Sequence, residues 1–417
     1  MSKHIKLSDI ATVIVGYPFK SENFNTEAEG IRLVRGMNVS EKKLRFDSES
    51  RWWNEFDETL QPYMLKSNDI LIGMDGSKVG RNFAIVGDND LPLLLVQRVA
   101  CIRAKNPDLQ KYIWACINDG RFTDYVNSIK TGSSIPHISK TQIEDFKIPL
   151  MDEISAINIG NWLSNVDSNI STNNFAIQTL ESLAKTIYDY WFLQFEFPNE
   201  EGKPYKSSGG KMVWNEELKR EIPEGWEVKK LADIEKDIVT GKTPTTKDST
   251  NFGVDVPFVT IEDIRNNVFI IDTNRKLSTK GAETQRKKYI EKGSLCVSCI
   301  ASVGEVGFVS QKSQTNQQIN SIIFKNENNK EYLYFAIKSY FQNSRSKVGN
   351  IFDNVNKEEF SSINFLYDSN IINLFHVKTM LLFNQILNCT NQNQQLTELR
   401  DFLLPMFMNG QVIFKDI

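Results

Sequence analysis

Few residues of this chain are of the types that build disulfides, metal centres or membrane spans. Only 5 of its 417 residues are cysteine and only 3 are histidine. A sparse, odd set of cysteines is not a disulfide framework. His4, His137 and His376 are too scattered for a metal site, so we interpret them as structural or exposed. There is no apolar run of about 18 residues, and the start, MSKHIKLSDI, lacks an apolar signal core. We therefore expect a cytoplasmic protein without metal or membrane association.

The single CxxC pattern is formed by Cys296 and Cys299 within the apolar run SLCVSCIASV. A zinc site needs a second Cys/His pair, and a redox motif needs a turn that leads into a helix. Neither accompanies this pair. We therefore interpret both cysteines as buried strand residues.

Known catalytic motifs are missing as well. The sequence has no GxxxxGK[ST] phosphate loop and no HExxH metal pair. It also lacks the glycine-rich loop and the Asn/Asp-Pro-Pro-aromatic tetrapeptide that amino-methyltransferases use. Glu305 near Ser302 forms no triad, because no histidine accompanies them. We expect a non-catalytic binding protein without a cofactor, although scattered acidic residues leave a nuclease site open.

Positive charge is in short supply, with a formal net charge of −3. This opposes nucleic-acid binding, because phosphate contacts need Lys and Arg. The acidic excess, however, lies in residues 151–230, which carry 8 basic and 13 acidic groups. Residues 1–150 carry 20 and 19, and residues 231–370 carry 18 and 17. The charge distribution therefore permits DNA binding by those two segments without proving it.

The chain contains an internal repeat. LSDI (7–10) recurs as LADI (231–234), IRLVRGMNV (31–39) has the apolar pattern of VPFVTIEDI (256–264), and ILIGMDGSKVGR (70–81) parallels LCVSCIASVGE (295–305). GSSIPHISKTQIEDFKI (132–148) aligns with GNIFDNVNKEEFSSINF (349–365) at an offset of 217. Identities are few, but the order is fixed, which indicates a duplication. The alternative is two unrelated α/β domains with similar strand punctuation.

Each repeat is followed by a segment with the pattern of a long helix. In the first, apolar residues and one polar seat, Asn173, follow the 3-4 spacing of a coiled-coil seam. The seam residues are Leu163, Val166, Ile170, Asn173, Ile177, Leu180, Ala184, Ile187 and Trp191, and in the second, less pure seam Leu382, Ile386, Cys389, Asn393, Leu396, Arg400 and Leu403. We expect the two helices to pair antiparallel and Pro405 to end or kink the second. The alternative is that they cap their own domains, above all the second, which we take as the shorter.

A pair of related domains on a stiff spacer suits a ligand with two similar sites at a fixed separation. Duplex DNA is such a ligand, because successive major-groove faces recur about every 34–36 Å. A helix of about 35 residues spans roughly 50 Å. We therefore expect double-stranded DNA as the partner, with one half-site for each domain.

The candidate DNA-facing residues are Arg, Lys, Asn, Gln, Ser and Thr in glycine-containing loops, the residue types that contact phosphates and base edges. In the first repeat they are Arg35, Asn38, Ser77, Lys78, Arg81, Gln97, Arg98, Lys130, Thr131 and Ser133. In the second they are Gly241, Lys242, Thr243, Thr245, Lys247, Arg265, Asn267, Gln317 and Gln318. Any one of them could instead belong to an ordinary solvated loop.

The segment between the first long helix and the second repeat resembles the central region of type I restriction-modification specificity subunits. The matching string is GKPYKSSGGKMVWNEELKREIPEGWEVKKLADI (202–234), joined by LESLAKTIYDYWF (180–192), GKTP (241–244) and LRDFLLPMFMNGQV (399–412). The resemblance is weak within residues 31–130 and 250–340, so base contacts are not carried over. GYPF (16–19) replaces a GKTP-like element in the first repeat.

The resemblance implies an α+β fold with two similar mixed α/β target recognition domains, separated by two long helices that form an antiparallel coiled coil. The expected parts are 1–150 and 231–370 as the domains, 151–193 and 371–417 as the spacer helices with a C-terminal tail, and 194–230 as a central linker. Such subunits read a bipartite, asymmetric DNA site, and the helix length sets its spacer.

The resemblance also implies partners. Two modification subunits, which hold S-adenosylmethionine and methylate adenine, would dock on the helices. Restriction subunits, which use ATP and Mg²⁺, would join that core. A different hypothesis is an assembly scaffold whose duplicated domains bind proteins and read no DNA. A third is a self-sufficient nuclease or methyltransferase.

Overall fold

The structure is a computed structural model that describes residues 4–130, 136–235, 237–348 and 354–412, with the backbone alone for 344–348. Two compact units are present. The first comprises Met1–Asn169 and Leu396–Ile417, and the second comprises Ile170–Gln395. No helix in the described part of the chain is both long enough and apolar enough to cross a membrane.

The first unit contains a mixed domain of short strands and helices. Its strands, β1 to β11, are His4–Lys6, Ala11–Val15, Ile31–Val34, Val39–Ser40, Lys43–Leu44, Trp52–Trp53, Ile70–Gly73, Phe83–Ile85, Leu93–Leu95, Val99–Ala104 and Lys147–Pro149. Its short helices, α1 to α4, are Leu7–Ile10, Gln110–Asn118, Arg121–Ile129 and Lys140–Glu144. The first long helix, α5, is Glu153–Tyr188 and continues in a π-helical turn, Asp189–Leu193.

The second unit repeats this arrangement. Within this unit, a central hairpin of β12 (Met212–Asn215) and β13 (Arg220–Pro223) precedes the repeated domain. The strands β14 to β23 are Glu227–Lys230, Asp237–Thr240, Phe252–Val259, Phe269–Ile270, Lys276–Leu277, Leu295–Ser298, Val306–Val309, Gln314–Thr315, Ile319–Ile323 and Asn364–Tyr367. The helices α6 to α11 are Leu231–Ile234, Ile261–Ile264, Thr279–Glu283, Lys330–Val348, Lys357–Ser361 and the second long helix, Ser369–Met408.

Strand order confirms the duplication. The main sheets run β2-β10-β7-β8 and β15-β22-β19-β20, the second with the extra edge strand β17. The smaller sheets run β6-β3-β9 and β18-β16-β21, and the pairs β1-β11 and β14-β23 close each domain. The register of the strands agrees with the sequence offsets. Lys6 pairs with Lys147 in the first domain and Lys230 pairs with Asn364 in the second, and Lys147 and Asn364 are 217 residues apart.

Each domain has its own apolar core beneath the main sheet. In the first, Ile70, Ile72 and Ile102 face helix α2, and in the second, Leu295, Val297 and Ile322 face helix α9. The β-branched and aliphatic residues at alternating strand positions supply these faces. The cores hold the strands rigidly, and they therefore fix the loops that leave the strand ends.

The two long helices run antiparallel within each unit. In the first, Trp162 of α5 packs on Phe407 of α11 with ring centroids 5.4 Å apart, and Arg400 donates to Asp167 at 3.0 Å. In the second, Asn173 Nδ2 donates to Asn393 Oδ1 at 3.0 Å. Every residue assigned to the predicted seam is buried or half-buried. Both predicted features of the fold class, similar mixed domains and antiparallel long helices, are confirmed.

Pro405 was expected to end or kink α11, and it does not end the helix, which continues to Met408. Proline removes one intrahelical hydrogen bond, but the next turn is closed by the Asn409 N–H, which donates to the Pro405 carbonyl at 3.0 Å. α5 has 36 residues and continues through the π-helical turn to Leu193, so that it and the 40-residue α11 are of similar length. The cysteines of the CxxC pattern are buried as predicted, Cys296 in β19 and Cys299 directly after it.

Candidate nucleic-acid interface

The antiparallel sheet of the first domain brings three distant loops to one edge. Strands β2 and β7 end at this edge and β10 begins there, so that the Gly16 N–H donates to the Val99 carbonyl at 3.0 Å and the Met74 N–H to the Arg98 carbonyl at 2.9 Å. We define the first edge as residues 16–17, 75–81 and 97–98 together with Arg35. Most of the residues predicted to face DNA in the first repeat belong to it.

Arg35 reaches the same edge because its strand, β3, lies parallel to β9, and both strands end there. Its guanidinium donates to the Glu49 carbonyl, and burial lowers the pKa of the side chain. Asn38 is only 2% exposed, and its amide bonds the Arg35 N–H and the Arg45 carbonyl. Asn38 therefore closes a turn, and its predicted role in base reading does not fit its burial.

The loop between β7 and β8 carries three exposed candidates, Ser77, Lys78 and Arg81. Lys78 forms an ion pair with Glu41 at 3.0 Å, although 62% of its side chain stays exposed. Lys130 is exposed at the end of α3, where it contacts Asn127 at 3.0 Å. Thr131 and Ser133 lie outside the described residues.

The tight turn before β10 presents Gln97 and Arg98, which are both exposed. Arg98 has a left-handed backbone, with φ at +72°, and its guanidinium lies 3.8 Å from the Asp75 carboxylate. The sequence analysis did not identify Asp75 as a site residue. Its position in the string GMDGSK, two residues before the predicted Ser77, could have indicated it.

The second domain has the same edge. Strands β15 and β19 end there and β22 begins there, so that the Gly241 N–H donates to the Ile319 carbonyl at 3.0 Å and the Cys299 N–H to the Gln318 carbonyl at 2.8 Å. We define the second edge as residues 241–247, 299–302 and 316–318 together with Arg265. Because these bonds match those of the first edge, Gln97 corresponds to Gln317 and Arg98 to Gln318.

The turn that presents Lys242 is held from several sides. Gly241 fits because a Cβ there would lie 2.1 Å from the Asn316 carbonyl oxygen. The Lys242 N–H donates to the Thr315 carbonyl at 2.9 Å, and the amide of Gln285 donates to the Lys242 carbonyl at 2.7 Å. The Lys242 side chain is exposed, so that a fixed backbone presents an exposed cation.

Neighbouring polar side chains orient one another. The Thr243 hydroxyl donates to Gln317 Oε1 at 2.7 Å, and Asn316 Nδ2 donates to Gln318 Oε1 at 3.0 Å. With an acceptor on Gln317 already used, its Nε2 remains as a donor that can meet an acceptor on a base edge.

The remaining candidates of the second repeat differ in their surroundings. Thr245 and Lys247 are exposed, and next to them hydrogen bonds from Thr250 and Lys280 lower the pKa of Asp248 to about 2, so this carboxylate is a permanent negative charge. Arg265 donates to the Ser302 hydroxyl at 3.2 Å, while Asn267 donates to the Asp263 carbonyl at 3.1 Å. Arg265 therefore lies at the second edge, and Asn267 supports its own turn.

The two edges differ most at the residue after the shared glycine. Where the second has Lys242, the first has Tyr17, whose N–H donates to the Leu95 carbonyl at 3.0 Å in the same way. The Tyr17 ring packs on Phe19 and Tyr63 with centroids 4.8 and 5.3 Å apart. The replacement of GKTP by GYPF thus exchanges a cation for an aromatic surface on an unchanged backbone turn.

The long helices expose apolar side chains outside their seam, which the sequence analysis missed. Such residues on a helix surface mark contact sites when they cluster. Those more than half exposed are Ile154, Phe175, Val377, Leu381 and Phe402. Plotting the off-seam heptad positions would have found them.

The described residues contain no group of three or more His, Cys, Asp or Glu side chains placed to hold a metal ion. His376 instead pairs with the buried Glu331 at 2.7 Å. Burial raises the pKa of Cys296 to about 12 and that of Cys299 to about 11, so neither thiol is a nucleophile at neutral pH.

Comparison with known proteins gives one consistent result. Residues 2–182 and 223–366 match the family model of the type I restriction modification DNA specificity domain. The type I restriction enzyme HindI specificity subunit of Haemophilus influenzae is 30% identical over 405 residues, covering 84% of this chain and 87% of that protein. The MjaIX specificity subunit of Methanocaldococcus jannaschii is 25% identical, covering 78% and 74%.

A solved structure shares the fold. The type I restriction-modification system S subunit from M. genitalium superposes with a TM-score of 0.60 at 14% identity, covering 100% of this chain and 96% of that one.

Proposed function

Because the chain belongs to the type I restriction-modification specificity subunits, we propose that each of its two edges reads one half of a bipartite, asymmetric DNA site. The observation that carries this proposal is the pair of matched edges. Equivalent backbone hydrogen bonds hold Tyr17 and Lys242, and Arg98 and Gln318, in corresponding places. Because the two edges share one backbone arrangement but carry different side chains, they would read two different half-sites.

The proposed contacts divide by chemistry. Lys78, Arg81, Lys242 and Lys247 are exposed cations suited to phosphate oxygens, which fix the position of the protein on the duplex. Gln97, Arg98, Gln317 and Gln318 lie on tight turns at the middle of each edge and suit base edges. Arg35 and Asn267 belong to the support of these loops, because Arg35 Nη2 donates to the Glu49 carbonyl and Asn267 Nδ2 donates to the Asp263 carbonyl.

The chain is proposed to catalyse nothing itself. Methylation of adenine would be the work of two modification subunits that bind S-adenosylmethionine, and cleavage that of restriction subunits that use ATP and Mg²⁺. The exposed apolar residues of the long helices suit these partners. Val377 and Leu381 lie outside the seam that the two helices form with each other, and in the described part of the chain they remain exposed to solvent.

The docking proposal is tested by co-purification with a modification subunit. The double substitution Val377→Ser and Leu381→Ser should lower the amount of bound modification subunit, while the chain keeps its thermal stability because both side chains are exposed. Asn388→Ser, an exposed polar position on the same helix, is the control. An unchanged stoichiometry in the double variant would contradict docking at this surface.

The function itself is tested by sequencing modified adenines in the host genome. The proposal expects one split motif that disappears when the gene is deleted and returns with a plasmid copy. Purified chain alone should methylate and cleave nothing. A motif that persists without the gene, or activity of the isolated chain, would overturn the proposal.

A further inference from the structure

The two edges differ in one charged pair at the middle of the reading surface. In the first edge, Arg98 lies beside Asp75, with Nε and Oδ2 3.8 Å apart. In the second edge the corresponding positions are Gln318 and Ile300, since Asp75 bridges to His137 as Ile300 bridges to Asn354. The arginine and its carboxylate are therefore exchanged together for a neutral pair.

Arg98 occupies a backbone conformation that disfavours it. It is the third residue of the turn closed by the Val99 N–H and the Val96 carbonyl at 3.2 Å, and its φ is +72°. Glycine or asparagine is the usual residue there, because Cβ crowds the backbone in the left-handed region. The equivalent turn, closed by Ile319 and Asn316 at 3.3 Å, holds Gln318 without a positive φ. The side chain of this strained residue remains 67% exposed, so it contributes little to the core. Strained residues of this kind cluster at functional sites.

The chemistry of the pair favours one base. A guanidinium offers two parallel donors that match O6 and N7 of guanine in the major groove, and this is the commonest specific contact of arginine with DNA. Asp75 is only 32% exposed and lies beside Gly36, so it can restrain the guanidinium from one side. A guanidinium that is already restrained loses less conformational entropy when it binds than one that moves freely.

We propose that Arg98, restrained by Asp75, reads a guanine in one half of the DNA site, and that Gln318 at the matched position makes the other half different. Arg98 is thus a specificity-determining residue and Asp75 its positioning residue. This inference rests on the proposed function and adds the base class that one edge recognises.

The test uses the full chain assembled with its modification subunits and sequencing of modified adenines. In Arg98→Gln, which places in the first edge the residue type found in the second, one guanine of the motif should become degenerate. The other half-site and the spacer should stay unchanged. The preference for that guanine over other bases should fall by roughly 5- to 140-fold, the loss of one bidentate contact. Asp75→Asn should reduce the same preference by less and leave its position unchanged.

Two variants separate base reading from other roles. Arg98→Gly relieves the positive φ, so it should melt no lower than the wild type and yet lose the guanine requirement, which a purely structural role does not predict. Arg81→Gln removes an exposed cation from the same edge and should slow methylation without changing the motif.

Each remaining outcome is decisive. If Arg98→Gln and Arg98→Gly methylate the wild-type motif, even at a lower rate, Arg98 contacts phosphate or solvent and the inference is wrong, while the proposed function stands. If the wild-type complex shows no split motif, the proposed function falls and this inference falls with it.

Discussion

Shortening both long helices by one matched heptad should shorten the unread spacer of the DNA site. Residues 170–176 of α5 and 390–396 of α11 surround the Asn173–Asn393 contact, so their joint removal keeps the pairing on either side, including Arg400 with Asp167. Seven residues at about 1.5 Å each shorten the pair by about 10 Å. At about 3.4 Å per base pair, this is three base pairs. Because the seam repeats every seven residues, its phase is retained.

The assay is sequencing of modified adenines in cells that carry the variant and its modification subunits. Both half-sites should be unchanged, with about three base pairs fewer between them. Methylation should also be slower, because three base pairs rotate one half-site by about 100° about the duplex axis relative to the other. Deletion of 170–176 alone mismatches the two helices and should abolish methylation. An unchanged spacer in the matched deletion would refute the reasoning that helix length sets it.

Four further predictions concern single side chains. DNA affinity, measured by fluorescence anisotropy, should fall as salt rises from about 50 to 200 mM, and in Lys242→Ala this fall should be about 3.5-fold smaller than in the wild type, as expected for one lost phosphate contact. An unchanged dependence of affinity on salt would show that Lys242 does not contact DNA. Gly241→Ala places a Cβ 2.1 Å from the Asn316 oxygen, so urea unfolding should show a loss of about 1–3 kcal/mol, and wild-type stability would contradict this packing. Asn173→Ala breaks its bond to Asn393 and should cost about 1 kcal/mol in the same assay, whereas Asn388→Ala at an exposed position of α11 should cost nothing; equal effects would argue against a polar contact inside the seam. All five cysteines are buried, and burial raises the pKa of Cys296 to about 12, so a thiol reagent at pH 8 should label none of them before denaturant is added; fast labelling of any would contradict the packing.

The architecture was predictable from the sequence where its signals are local. The seam from Leu163 to Trp191 follows from spacing alone, and the repeat offsets, such as 217 between Lys147 and Asn364, recur unchanged in the strand register. Both signals reflect apolar residues at fixed intervals. Apolar residues at helical or strand intervals lie on one face of the helix or strand, and that face is buried when the element packs against another one.

The candidate site was predictable only in part, because its geometry depends on strand order. Gly16, Arg98 and Met74 meet through long-range pairing of β2, β10 and β7, which no local pattern encodes. Asn38 was assigned to DNA by its residue type, but burial and two hydrogen bonds engage it in a turn. Pro405 was expected to end or kink α11, yet the helix continues past it to Met408, and the Asn409 N–H donates to the Pro405 carbonyl.

The central claim is that two related edges read two half-sites, and a chimera tests it most directly. Residues 4–149 of the first domain begin and end on the strand pair β1-β11, as residues 227–367 do on β14-β23. Replacing 227–367 with a second copy of 4–149 gives a chain with two identical edges on the same antiparallel helices. The account predicts that this chain and its modification subunits methylate an interrupted palindrome, built from two inverted copies of one half-site. Methylation of the original asymmetric motif by the assembled chimera would contradict the account.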